Sequence, residues 1–136
     1  MQGPPPHRSG ERRPGAVILV VERDPHVREL EAFFLERAGF DVQLAEDGEQ
    51  AEALLERLQP DILITEVLVP RLDGLHLCRR VKAARPETKV LVFSILAVSE
   101  RAQEAGADAF LHKPLEEDAL VATVARLLTL EQEAHP

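Results

Sequence analysis

The chain predicts an α/β fold: a doubly wound five-stranded parallel sheet inside a three-layer α/β/α sandwich. Two observations carry this. Short, continuous apolar runs recur along the sequence, as strands buried on both faces require. Segments with helical apolar spacing alternate with them through short connections, and right-handed crossovers then place helices on both faces of one sheet.

The elements follow in order. Ala16 to Val21 is an unbroken apolar run and reads as the first strand. Asp24-Pro25 supplies an N-cap followed by proline at the first helical position. The helix it opens runs to about Ala38, with Val27, Leu30, Phe33, Phe34 and Ala38 at helical spacing and Gly39 ending it. Phe40 to Leu44 is a second, short strand. Asp47-Gly48 opens a helix bearing Ala51, Leu54, Leu55 and Leu58, which Pro60 closes. Ile62 to Thr65 is the third strand. A loop with Pro70 and the Asp73-Gly74 turn leads to a helix over Leu75 to Ala84. Lys89 to Ser94 is the fourth strand, followed by a short helix over about Val98 to Ala105. Ala109 to Leu111 is the fifth strand, and a helix from about Glu116 to Leu130 completes the domain.

Residues 1–15 hold Pro4, Pro5, Pro6 and Pro14 with Arg8, Arg12 and Arg13. With no apolar residue beyond Met1, they are expected to form a disordered, mildly basic tail. Residues 131–136 are expected to be a frayed C-terminal tail. The domain proper is therefore expected over residues 16–130.

Composition narrows the function. At 136 residues one domain is expected. The net charge of −8 argues against direct nucleic-acid binding, because a phosphate backbone would be repelled. A single cysteine, Cys78, excludes an internal disulfide and fits a reducing cytoplasm. It reads as a half-buried helix residue without thiolate activation. No apolar run approaches the length of a membrane span, and no signal peptide is evident. His7, His26, His76, His112 and His135 lack metal-ligand spacing.

In doubly wound folds the chemistry sits at the C-terminal edge of the sheet, at the switch point in strand order. This chain places Glu22-Arg23-Asp24 after the first strand, Glu66 after the third, Ser94-Ile95 at the end of the fourth and Lys113-Pro114 after the fifth. Any one of these is explained by a strand end reaching water, and Asp24 by its role as a helix cap. All four together point to a site.

These segments resemble the response-regulator receiver domains of two-component signalling, a CheY-like, flavodoxin-like family. The resemblance rests on Val17 to Pro25, Ala45 to Ala51, Glu66 to Gly74, Ala105 to Phe110 and Lys113-Pro114, and covers about Ala16 to Leu130. It implies a domain that takes a phosphoryl group from a histidine kinase onto an aspartate. Magnesium, held by that aspartate and an acidic pair, assists. A Ser/Thr and a lysine contact the phosphoryl oxygens. Ser94 and Lys113 fall on those two groups, and Phe110 on the aromatic switch position.

The departures matter more. Glu66 stands at the phosphoacceptor position, its carboxylate carried about 1.5 Å further by one methylene. Glu22 and Arg23 fall on the acidic pair, so a guanidinium stands where a metal-ligating aspartate is expected. Ile95 stands where the family has a small residue. The interval from Ser94 to Gly106 is about three residues shorter than is typical of the family, close to one helical turn. Magnesium needs anionic oxygen ligands in near-ideal geometry, so its binding is expected to be lost or very weak, leaving no cofactor. Arg23 is expected to take over the cation's role by pairing with Glu66, with Lys113 as the other candidate. Ile95 is expected to crowd an incoming phosphoryl group.

Phosphoryl transfer depends on positioning and charge neutralisation, and these changes remove both. The expectation is an atypical receiver with no catalytic residue, acting as a phosphorylation-independent interaction module. Either Glu66 imitates the phosphorylated state or the site has decayed around a retained binding surface. The partner is expected to be a histidine kinase or downstream effector, met through Val98 to Ala105, Phe110 and the final helix. A cytoplasmic monomer or weak homodimer is expected. The alternatives are a working phosphoacceptor, or the regulatory domain of a larger regulator that binds DNA elsewhere.

Overall fold

The structure, a computed structural model, describes residues 15–133, with side chains through Thr129. The elements are β1 (Val17–Val21), α1 (Pro25–Arg37), β2 (Asp41–Ala45), α2 (Gly48–Leu58), β3 (Ile62–Thr65), α3 (Gly74–Ala84), β4 (Lys89–Ser94), α4 (Ser99–Glu104), β5 (Ala109–His112) and α5 (Glu117–Glu133). All strands pair in parallel in the order β2-β1-β3-β4-β5. The chain leaves β1 toward β2 on one side and returns to β3 on the other. The switch-point crevice therefore opens between the ends of β1 and β3.

The apolar runs set the layers. The residues of β3 are buried throughout, whereas edge strand β2 mixes buried and exposed positions and edge strand β5 is only partly covered. One core cluster joins Ile18, Val20, Ile62, Ile64, Leu91 and Phe93 of the sheet to Leu35 of α1 and to Leu120, Val124, Leu127 and Leu128 of α5. The other cluster faces the opposite way. It joins Leu19, Leu63, Val90 and Val92 to Ala51 of α2, to Leu75, Leu77, Cys78 and Val81 of α3, and to Ala102 of α4.

Helix starts follow their caps. The Asp24 carboxylate accepts from the His26 and Val27 N–H groups, Asp47 from Gln50, and Asp73 from Leu75 and His76. Helix α2 ends in a left-handed residue, Gln59, at φ 49°.

Several boundaries move. β2 starts one residue late, because the Phe40 N–H bonds back to the Leu35 carbonyl and closes α1. α5 continues to Glu133, so residues 131–133 are helical rather than part of a frayed tail. The expected N-terminal tail, residues 1–14 in particular, lies outside the described residues, as do residues 134–136. Cys78 is fully buried rather than half-buried. Its thiol meets the Ala105 carbonyl oxygen, and burial pushes its pKa up to about 11.

The larger correction concerns α1. Leu30 and Phe33, expected on its inner face, are 46% and 54% exposed, whereas Glu31 is 1% exposed. The inward stripe runs through Val27, Glu31, Phe34, Leu35 and Ala38. A carboxylic acid holds a core position between apolar neighbours.

Candidate functional site

Glu22, Glu66 and Lys113 each follow the last residue of a strand and are held by one further backbone bond. The Glu22 N–H donates to the Ala45 carbonyl (3.0 Å), the Glu66 N–H to Val21 (3.1 Å) and the Lys113 N–H to Ser94 (2.9 Å). Continuing the sheet by one step fixes where these side chains begin. It converges them on the crevice between β1 and β3.

Lys113 sits at the centre. Its Nζ donates to Glu22 Oε1 at 2.8 Å and pairs with Glu66 Oε2 at 3.0 Å. It also lies 5.4 Å from the Phe93 ring centroid, a cation–π contact in a largely buried setting. Both carboxylates are buried and each spends its second oxygen on backbone. Glu22 Oε2 accepts from the Asp24 N–H (3.1 Å), and Glu66 Oε1 accepts from the Val67 N–H (2.7 Å) and the Leu68 N–H (3.4 Å). The extra methylene of Glu66 thus lets the carboxylate fold back onto the amide that follows it.

The electrostatics agree with this wiring. Burial pushes the Glu66 carboxyl up, but the Ser94 hydroxyl, the Lys113 ammonium and the Val67 N–H together outweigh it. The group is held below the ordinary carboxylate value. Burial likewise works against a charged Lys113, and the two carboxylates overcome it, so the ammonium is held above its ordinary value. Ser94 is fully buried, and its Oγ also accepts from the Leu96 N–H at 3.0 Å.

The expected pairing of Arg23 with Glu66 is not formed. Arg23 is exposed, and among the described residues no hydrogen bond or ion pair joins its guanidinium to the site. Lys113 already occupies the space between the carboxylates. With Glu22 facing inward, the following side chain turns to solvent. A different arginine holds this loop: Arg28 Nη1 donates to the Glu22 carbonyl (2.7 Å) and to the Arg23 carbonyl (3.4 Å). Ile95, expected to crowd an incoming phosphoryl group, is 58% exposed at the start of the β4–α4 connection.

The loop after Glu66 is braced. The Gly74 N–H donates to the Val67 carbonyl and the Gly48 N–H to the Pro70 carbonyl, both at 2.9 Å. A Cβ on Gly74 would overlap the Glu66 carbonyl oxygen and come within 2.9 Å of Val67 Cα, so only glycine permits this approach. Arg71, at φ 72°, reaches Asp47 (3.8 Å) and Glu49 (3.4 Å) at the start of α2.

On the expected output face α4 is short, and Phe110 is half-buried against the cluster that includes Val98 and Ala107. A shallow groove of about 260 Å³ runs between Ser99, Gln103 and Phe110.

Sequence reasoning missed Glu31 and Arg28. Burial pushes the Glu31 carboxyl well above its ordinary value. Glu22 and Glu66 add to the effect, and Lys113 opposes it. The signal for Glu31 was its place one turn from both Val27 and Leu35.

The comparisons agree with the geometry. The family model for the response regulator receiver domain matches residues 18–125. The chain is 40% identical over 114 residues to the response regulator MprA of Mycobacterium leprae, covering 82% of this chain and 50% of that protein. It is 33% identical over 116 residues to the DNA-binding dual master transcriptional regulator RpaA of Synechocystis, covering 82% and 48%. The chain therefore spans about half the length of these curated relatives. Among solved structures, it superposes on the chemotaxis response regulator CheY4 of Vibrio cholerae with a TM-score of 0.78 at 26% identity, covering 84% of this chain and 99% of that one. It superposes on NtrX of Brucella abortus with a TM-score of 0.83 at 29% identity, covering 88% and 28%. Receiver domains are signalling modules that work with histidine kinases and effectors rather than enzymes of the usual kind. No helix among the described residues is long and apolar enough to cross a membrane. Together, fold, strand-end residues and sequence matches establish that the chain belongs to the response regulator receiver domain family.

Proposed function

We propose that this receiver domain does not accept a phosphoryl group and acts as a protein-interaction module whose site is held by its own charges. One observation carries the reading. The Lys113 ammonium bridges Glu22 and Glu66, and every carboxylate oxygen of that pair already has a partner. An incoming phosphoryl group would have to displace a buried, doubly paired lysine, and the acceptor would have to break from its own backbone amide.

The residues present do not fit a magnesium ion. Magnesium takes oxygen ligands in near-octahedral geometry. Here an ammonium sits between the two carboxylates, and the residue after Glu22 is an arginine rather than an anionic oxygen ligand. Among the described residues no group of three His, Cys, Asp or Glu is arranged to hold a metal. Lys113, which the family resemblance assigns to a phosphoryl group, pairs with Glu66 instead, and the Ser94 hydroxyl helps to hold the Glu66 carboxyl below its ordinary value. That supports a fixed arrangement of the site over a decayed one. The partner is a kinase or effector protein that reads the α4–β5–α5 face, and the domain works in the cytoplasm as a monomer or weak homodimer.

Incubation with acetyl phosphate and magnesium, followed by intact-mass measurement, tests this. The mass is expected to remain unchanged, and a magnesium-dependent gain of one phosphoryl group overturns the reading. The relatives also favour a regulatory role within a longer regulator, since MprA and RpaA are about twice the length of the matched region. Fusing the domain to such an output segment and recording output with and without Lys113→Met tests whether the site communicates outward.

A further inference from the structure

Glu31 has no role in the wiring described so far. It lies on the inner face of α1, is almost wholly buried, and its Oε1 has no hydrogen-bond partner. Three carboxyl groups, those of Glu22, Glu66 and Glu31, share one buried environment with a single ammonium, and that ammonium is committed to the first two. Charges in such a setting persist only when paired. With Glu22 and Glu66 claiming Lys113 as their ion-pair partner, an ionised Glu31 would have no ion-pair partner of its own.

The other charged groups on elements packed against α1 do not supply one. Arg28, one turn earlier on the same helix, is taken by the carbonyls of Glu22 and Arg23 and lies 4.0 Å from Glu46. Arg37 at the far end of α1 is bound to Glu117 of α5 (3.0 Å). Asp118 and Arg126 of α5 and Asp41 of β2 are exposed. The groups that act on Glu31 are Glu22 from the end of β1, Lys113 from the end of β5 and Glu66 from the end of β3.

We propose that Glu31 is a proton-controlled latch: carrying its proton it seats α1 against the sheet, and losing that proton to solvent it forces α1 to shift. The β1–α1 loop is the first part to respond, because Arg28 ties α1 to the carbonyls of Glu22 and Arg23. The latch thereby links the seating of α1 to the position of Glu22 at Lys113. The sign follows from the raised affinity of the buried acid for its proton. The seated arrangement is fully stable below the ordinary carboxylate range and weakens as pH rises through the value the acid has in the folded protein.

The test uses the full chain. Side-chain carboxyl 13C shifts are followed from pH 4 to 9, and urea unfolding and amide exchange are compared between wild type and Glu31→Gln, which keeps the shape of the protonated acid. Glu31 is expected to titrate well above the exposed glutamates. The folding equilibrium constant of wild type is expected to fall relative to that of Glu31→Gln as pH rises across this range, and the two are expected to run parallel below the ordinary carboxylate range. Amide exchange at Glu22 to Asp24 is expected to accelerate with pH in wild type beyond that in the variant. A Glu31 carboxyl that titrates with the surface glutamates overturns the proposal, as do parallel pH profiles of the two proteins. If Glu31→Gln does not fold, the wild-type titration alone decides.

Discussion

Replacing Lys113 with methionine keeps the length and apolar stem of the side chain and deletes only the charge. In the folded protein this leaves the Glu22 and Glu66 carboxylates buried with no cation between them. Removing one member of a buried ion pair costs about 3–5 kcal/mol, because the surviving charge must stay uncompensated or take up a proton. Against a typical domain stability of about 5–15 kcal/mol, Lys113→Met should be folded but weakened. The loss should shrink as pH falls toward 5, since protonation removes the stranded charge. A triple variant, Glu22→Gln, Glu66→Gln and Lys113→Met, should recover most of the stability. The chain has no tryptophan or tyrosine, so urea unfolding is followed by far-ultraviolet circular dichroism rather than by fluorescence. A loss under about 1 kcal/mol at pH 7.5 would place the pair in the class of exposed ion pairs and refute the reasoning.

Arg23→Ala should change stability by no more than about 0.5 kcal/mol in the same assay, because the side chain touches nothing in the site. Gly74→Ala should cost about 1–3 kcal/mol or more, since its Cβ has to push aside the Glu66 carbonyl and the start of the loop; a native-like unfolding midpoint would contradict this. Glu66 is held below its ordinary value of 4.5, so its contribution is present above that pH and is lost as pH falls through the folded value. Acid unfolding of Glu66→Gln should therefore lack part of the acid limb seen in wild type, while the alkaline limb remains.

The sheet was legible because strands buried on both faces read as continuous apolar runs, and Asp24, Asp47 and Asp73 mark the helix starts directly. The strand ends were legible too, since a doubly wound topology fixes which termini share an edge. What could not be read was the direction of side chains past those ends. Arg23 follows Glu22 by one residue, and nothing local reveals that Lys113, distant in sequence, fills the space first. The exposure of Ile95 likewise depends on how the β4–α4 connection turns, which its identity does not reveal. Helix α1 misled for a different reason. Leu30 and Phe33 fit a helical stripe as well as Leu35 does, and hydrophobicity alone favours burying them over Glu31. Val27, Phe34, Leu35 and Ala38 form a second apolar stripe on the same helix, and the packing that buries it carries Glu31 inward with them.

The central claim is that the pocket is closed by the Lys113 bridge between Glu22 and Glu66. Titration of the 15N-labelled chain with beryllofluoride and magnesium tests it most directly. No saturable shifts are expected at Ser94, Phe110 or Lys113. Saturable, magnesium-dependent shifts at these three residues would show that the bridge opens to a phosphoryl-like ligand, and would contradict it.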